Sequence, residues 1–130
     1  KLLNINRERM PVLGICLGHQ AIGLHYGCRI EYAKNLMHGK TSLISHDSKG
    51  CFKAFLDQPF SAMRYHSIVI SDQDIPSEME VSATSMDDHY VMGIRNKALK
   101  IEGIQFHPES IGTENGIRIL QNFIDTYSST

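Results

Sequence analysis

Ten residues, Pro11-Val12-Leu13-Gly14-Ile15-Cys16-Leu17-Gly18-His19-Gln20, constrain this chain more than any others. Val12, Leu13 and Ile15 form a short continuous apolar run, the pattern of a strand buried on both faces of a parallel sheet. Pro11 can open that strand because its missing N–H costs little at a first position. Gly14 and Gly18 stand two residues either side of Cys16. This small-x-Cys-x-small string has the form of a nucleophile elbow, with Cys in place of the Ser of Gly-x-Ser-x-Gly. A turn that tight is expected to need glycine on each side. It would hold the thiol at the carboxyl end of a strand and the amino end of a helix. A helix amino end favours an anion, so a lowered thiol pKa is expected there. Free cysteine is also among the most buried residue types, so a catalytic reading of Cys16 requires a base as well.

A chain of 130 residues suits one domain with its own core. At 42% hydrophobic, 21% charged and a net charge of −1, it offers no electrostatic ground for nucleic acid or an anionic membrane as partner. No apolar run reaches the length of a membrane span, and the opening residues do not read as a signal peptide. Cys16, Cys28 and Cys51 are odd in number and lack C-x-x-C spacing, which argues against a disulfide framework or a zinc site. A reducing, cytoplasmic setting is expected. Residues 1–10 read as the tail of a helix leading into the Pro11 strand. A wound sheet whose first visible strand already carries the nucleophile should have earlier strands. Residues 1–130 are therefore expected to be the C-terminal portion of one α/β domain, an open and mostly parallel sheet with flanking helices.

Residues 17–26 read as a helix with Leu17, Ala21, Ile22 and Leu24 broadly on one face, stopped by Gly27. Strands are expected over 28–33, 41–45 and 62–70, a turn over 46–50, one helical turn over 52–56 and a surface loop over 71–77. Residues 81–85 and 90–95 resemble an antiparallel pair. The apolar strand 101–106 runs directly into His107-Pro108-Glu109-Ser110. Residues 113–127 form an amphipathic pattern through Ile117, Leu120, Phe123, Ile124 and Tyr127, with Thr113 as the expected N-cap.

Cys16 and His107 thus each follow a strand, and in open α/β sheets reactive groups gather at the carboxyl ends of strands. A thiol nucleophile needs a base in reach, and the base needs a third group to orient it. Glu109 lies two residues after His107, and Pro108 stiffens the turn that presents both.

The stretch 14–20 together with Gln105-Phe106-His107-Pro108-Glu109-Ser110 resembles a class I (triad-type) glutamine amidotransferase. Met37-His38-Gly39-Lys40-Thr41-Ser42 and Arg64-Tyr65-His66-Ser67-Ile68 are similar to segments of the amidotransferase subunits of anthranilate synthase and aminodeoxychorismate synthase. The resemblance runs from Pro11 to the last helix. It implies a flavodoxin-like sheet, with Cys16 as the nucleophile on the glutamine side-chain amide. His107 would be general base and then acid, and Glu109 its orienter. A γ-glutamyl thioester would form and ammonia would leave. The Leu17 backbone N–H would donate to the oxyanion. Gln20 would bind the substrate glutamine, and Ser67 and Ile68 its amino-acid end, largely through backbone groups. The resemblance implies no cofactor at the cysteine site. It implies a heteromer with a chorismate-binding synthase subunit, where any Mg²⁺ would belong, and an apolar patch beside the elbow facing that subunit. His19, His38, His66 and Lys40 are left with structural hydrogen bonds or, over 38–42, a face toward the synthase. The family's upstream glycine-rich loop, which completes the oxyanion hole, has no match before Pro11. A γ-glutamyl hydrolase-like enzyme shares the elbow, but Glu109 and the 37–42 motif speak against it. A catalytically silent fragment or binding subunit would have no need of Cys16, His107 and Glu109 together.

Overall fold

In a computed structural model, residues 10–53, 55 and 58–127 are described, excepting the side chains of residues 35–38. The helix tail expected before Pro11 lies outside them. The apolar run after Pro11 forms β1 (Val12–Ile15) and passes directly into α1 (Leu17–His25). Then come β2 (Ile30–His46), a 3-10 turn (Gly50–Phe52), β3 (Phe60–Ile70), β4 (Glu80–Ser85), β5 (Val91–Asn96), β6 (Ile101–Ile104) and α2 (Gly116–Tyr127). The strands make one six-stranded sheet in the order β1-β6-β5-β4-β2-β3.

This is an α/β sheet flanked by helices, as expected, but its strand directions are mixed among the described residues. Only β1 and β6 run parallel, and the other four pairings are antiparallel. The reason is connection length. Short turns join β4 to β5 and β5 to β6, and a short turn can only join antiparallel neighbours. The parallel pair places Ile15 opposite Ile104, so both strands end at the same edge. That edge carries Cys16 on one strand and Gln105 to His107 on the other.

A layer of core lies on each face of the sheet. Ile119, Phe123 and Tyr127 of α2 join Phe52, Phe55, Phe60 and Phe106, whose rings pack at centroid distances of 5.0 to 6.5 Å. Ile22 of α1 joins Cys28, Ile70, Met79, Val91, Ile94 and Ile101 on the other side. α1 ends as the sequence indicates. Gly27 takes a φ of 93°, Cys28 N–H bonds to Gly23 O at 2.8 Å and Gly27 N–H to Leu24 O at 3.2 Å, a Schellman motif.

Several local expectations are corrected. The strands expected over 28–33 and 41–45 are one strand, β2. Its polar middle breaks the apolar pattern, but pairing with β3 carries it through with register shifts at Tyr32/Met37 and His38/Lys40. The helical turn expected over 52–56 is replaced by the 3-10 turn one step earlier; residues 54 and 56 lie outside the described residues. In α1, Leu17 and Leu24 face outward while His19, Gln20, Ile22 and Gly23 are buried, because the inner face of this helix holds polar groups of the site. In α2 the buried stripe is Ile119, Phe123 and Tyr127, at spacings of four, and Ile117 and Ile124 are exposed. Thr113 is not the cap of α2, which starts three residues later. Its buried hydroxyl accepts from Met63 N–H at 2.9 Å and donates to His107 O at 2.6 Å, tying β3 to the turn after β6.

Candidate active site

Cys16 sits at the junction of β1 and α1 with φ 54° and ψ −102°, a conformation that side-chain-bearing residues rarely hold. Its N–H bonds to Ile104 O at 2.8 Å, which pins the turn to β6. A Cβ at Gly14 would lie 2.6 Å from the Gly18 backbone, so the glycine before the cysteine is required by space. Gly18 is not required in the same way. A Cβ there would meet nothing within 4 Å among the described residues, because this first turn of α1 faces outward.

β3 pairs at the far edge of the sheet, yet it reaches back over the ends of β1 and β6. Met63 O accepts from His107 N–H at 3.1 Å, and Ile68 O accepts from Gln20 Nε2 at 3.0 Å. Tyr65 carries the decisive contacts. Its carbonyl lies 3.7 Å from Cys16 Sγ, and its ring meets His107 edge-to-face at a centroid distance of 5.4 Å. Cysteine and histidine, far apart in sequence, thus flank one residue. His107 Nδ1 is 2.8 Å from Glu109 Oε2, leaving Nε2 as the ring's second functional nitrogen. A half-buried thiol, an imidazole and a carboxylate bound to that imidazole are the parts of a cysteine-nucleophile site.

The family model described as glutamine amidotransferase class-I matches residues 2–126. The chain belongs to the class I glutamine amidotransferase family. It is 46% identical to anthranilate synthase component 2 of Methanocaldococcus jannaschii, over 94% of this chain and 64% of that protein. It is 45% identical to aminodeoxychorismate synthase component 2 of Serratia marcescens, over 90% of this chain and 62% of that protein. Among solved structures, a Thermoplasma acidophilum protein provisionally named as a GMP synthase subunit superposes with a TM-score of 0.81. The match has 32% identity and covers 91% of this chain and 57% of that one. The chain therefore spans about three-fifths of the length of the curated relatives it matches.

The candidate site is polar and mostly neutral behind its exposed edge. Burial pushes the Cys16 thiol up from its ordinary value, against the pull of the Leu17 N–H and the Gln105 amide, and the Glu109 charge pushes it further. The expected lowering by the helix end is thus overturned, because desolvation outweighs one helix turn. His19 is fully buried and held neutral, at about 3, chiefly by desolvation. His66 is lowered to about 4 by burial and then by Arg64, whose Nε donates to His66 Nε2 at 2.9 Å. Lys40 is exposed, and the side chain of His38 lies outside the described residues.

Of the residues expected to hold substrate, Leu17 follows Cys16 with its side chain exposed and its N–H toward the sulfur. Gln20 is buried, with Nε2 committed to Ile68 O and to Gln105 Oε1 at 3.1 Å; neither bond uses its Oε1. Ser67 falls at the break of the β2·β3 register, between the pairs Tyr32↔Ile68 and Met37↔His66. Gln105, Tyr65 and Arg64 stand within the motifs read from the sequence, but no role was legible for them. Their contacts join residues far apart in the chain, which no local pattern encodes. Among the described residues no group of three or more His, Cys, Asp or Glu is placed to hold a metal ion. No described helix is long and apolar enough to cross a membrane.

Proposed function

We propose that this domain removes the side-chain amide of glutamine and hands the ammonia to a separate chorismate-using synthase subunit. The observation that carries the reading is Tyr65 joining Cys16 to His107, with Glu109 on the far imidazole nitrogen. His107 Nε2 takes the Cys16 proton as the sulfur attacks the amide carbon. The oxyanion is met by the Leu17 N–H. His107 then passes the proton to the departing nitrogen, leaving a γ-glutamyl thioester on Cys16. Water, deprotonated by His107, attacks the thioester carbon and releases glutamate and the thiol. Glu109 holds the Nδ1–H throughout.

Gln20 Oε1 is the acceptor left for the substrate amide, and the backbone of Ser67 and Ile68, at the break in the β2·β3 register, suits its amino-acid end. The relatives' own names, component 2 of anthranilate and aminodeoxychorismate synthases, support a synthase partner. So do the exposed apolar side chains of Leu17, Tyr65 and Ile111 around the site.

Labelling with an electrophilic glutamine analogue, read by peptide mass spectrometry, tests the reading. Label is expected on Cys16 alone, blocked by glutamine and absent in Cys16→Ala. Label spread over Cys28 and Cys51, or indifferent to glutamine with the synthase present, would overturn it.

A further inference from the structure

Gln105 follows β6 at the place where Cys16 follows β1. It is fully buried, and its Nε2 lies 3.5 Å from Cys16 Sγ. Its Oε1 accepts from Gln20 Nε2, which also donates to Ile68 O. The direction of this chain of amides is fixed at one end. A backbone carbonyl only accepts, so Gln20 must turn its NH₂ toward it. The same NH₂ then occupies the Gln105 oxygen, and only the Gln105 NH₂ remains to face the sulfur.

We propose that Gln105 is a catalytic residue that donates an N–H to the Cys16 sulfur, and that Gln20 is the positioning residue that sets its direction. This rests on Cys16 being the nucleophile of the proposed glutaminase. Such a donor stabilises sulfur most when it is anionic. That happens twice in the cycle. As His107 takes the thiol proton, the developing charge on sulfur meets the amide. When water attacks the thioester, the C–S bond breaks and its electron pair goes to sulfur. Gln105 holds that thiolate until the His107 imidazolium returns the proton. The backbone N–H of Leu17 also lies toward this sulfur in the resting site and is the donor proposed for the substrate oxygen once the amide is attacked, which leaves Gln105 as the side-chain donor to sulfur.

The test is the pH dependence of Cys16 alkylation by iodoacetamide, resolved by peptide and compared among the wild type, Gln105→Leu, Gln105→Glu and Gln20→Leu. Gln105→Leu is expected to move the midpoint to higher pH and to slow alkylation about tenfold at pH 7. Gln105→Glu should move it further, because a carboxylate opposes the thiolate. Gln20→Leu leaves Gln105 present but unoriented and should give a smaller shift of the same sign. Cys51, buried in the aromatic core, reports folding within the same experiment by remaining unlabelled. An unchanged midpoint in any of the three variants that keep Cys51 shielded would overturn the proposal, and Gln20→Leu disturbs the sulfur's surroundings least. Iodoacetamide needs no glutamine. A shift without glutamine turnover would therefore count against the glutaminase reading alone, and turnover without a shift against Gln105 alone.

Discussion

Two arginines are completely buried, and the molecule treats them in opposite ways. Arg95 is met by three carboxylates, Asp47 at 2.8 Å, Glu80 at 3.0 Å and Glu102 at 3.3 Å. The fully buried Glu102 also accepts from Cys51 N–H at 2.9 Å and from Tyr127 O–H at 2.7 Å, so the cluster fastens α2 to the sheet. The Arg95 guanidinium is held above its ordinary pKa by these partners despite burial, and the Tyr127 hydroxyl is pushed up by burial and by Glu102. Arg64 has carboxylates on one side only, Asp88 at 3.1 Å and Asp87 at 3.5 Å, with Ser42 Oγ at 2.9 Å. Its Nε ends on a neutral imidazole, and among the described residues its Nη2 is buried without a hydrogen-bond partner, whereas Arg95 Nε, though also without a hydrogen bond, faces Glu102 at 3.3 Å. The buried rings of His66 and His19 face backbone groups of Ile68 and Gly103 rather than a carboxylate. A charge matched by opposite charges holds a structure together. A buried cation whose Nε ends on one neutral imidazole is matched less completely than one ringed by three carboxylates.

If that contrast is correct, Glu102→Ala should have the largest effect on stability. It strips Arg95 of its buried partner and leaves two donors unmet, which should cost about 3–5 kcal/mol. Denaturant unfolding would measure this, and a cost below about 1 kcal/mol would erase the distinction between the two clusters.

Acid should have a smaller effect, through the other cluster. His19 and His66 are held at about 3 and about 4, below the ordinary 6.5. Between those values the unfolded chain binds more protons than the folded one, so their contribution is complete above pH 6.5 and is lost as pH falls to about 4 for His66 and about 3 for His19. Denaturation midpoints should fall steadily over that window. Arg64→Met should change this slope least of all. Without the cation His66 titrates higher, and the decline between pH 6.5 and 4 becomes shallower. An unchanged slope would mean that desolvation alone governs His66.

Much of this could be read from the residues, for definite reasons. The run Val12 to Ile15, and the 81–85 and 90–95 stretches either side of a polar turn, mark strands through local sequence, and the strands appear there. Cys16, His107 and Glu109 could be singled out as candidates because the first two lie just past strands, the third lies two residues on, and each carries chemistry in its own side chain. The continuity of β2 was not legible, since its middle is held by pairing with β3 and not by its own composition. The outward turn of Leu17, Leu24, Ile117 and Ile124 also escaped, because helical spacing defines a face without saying which way it points. The direction of the thiol shift depends on how deeply the elbow is covered. The role of Gln105 depends on Gln20 and Ile68, residues that only the folded sheet brings beside it.

The central claim is that Cys16 carries the reaction, and the most direct measurement is to trap what it carries. Acid quenching during glutamine turnover, followed by peptide mass spectrometry, should find one glutamyl group on the peptide containing Cys16. The adduct should be labile to hydroxylamine, and Cys28 and Cys51 should be unmodified. Ammonia released at full rate with Cys16 never acylated, or from a Cys16→Ala protein, would contradict the account.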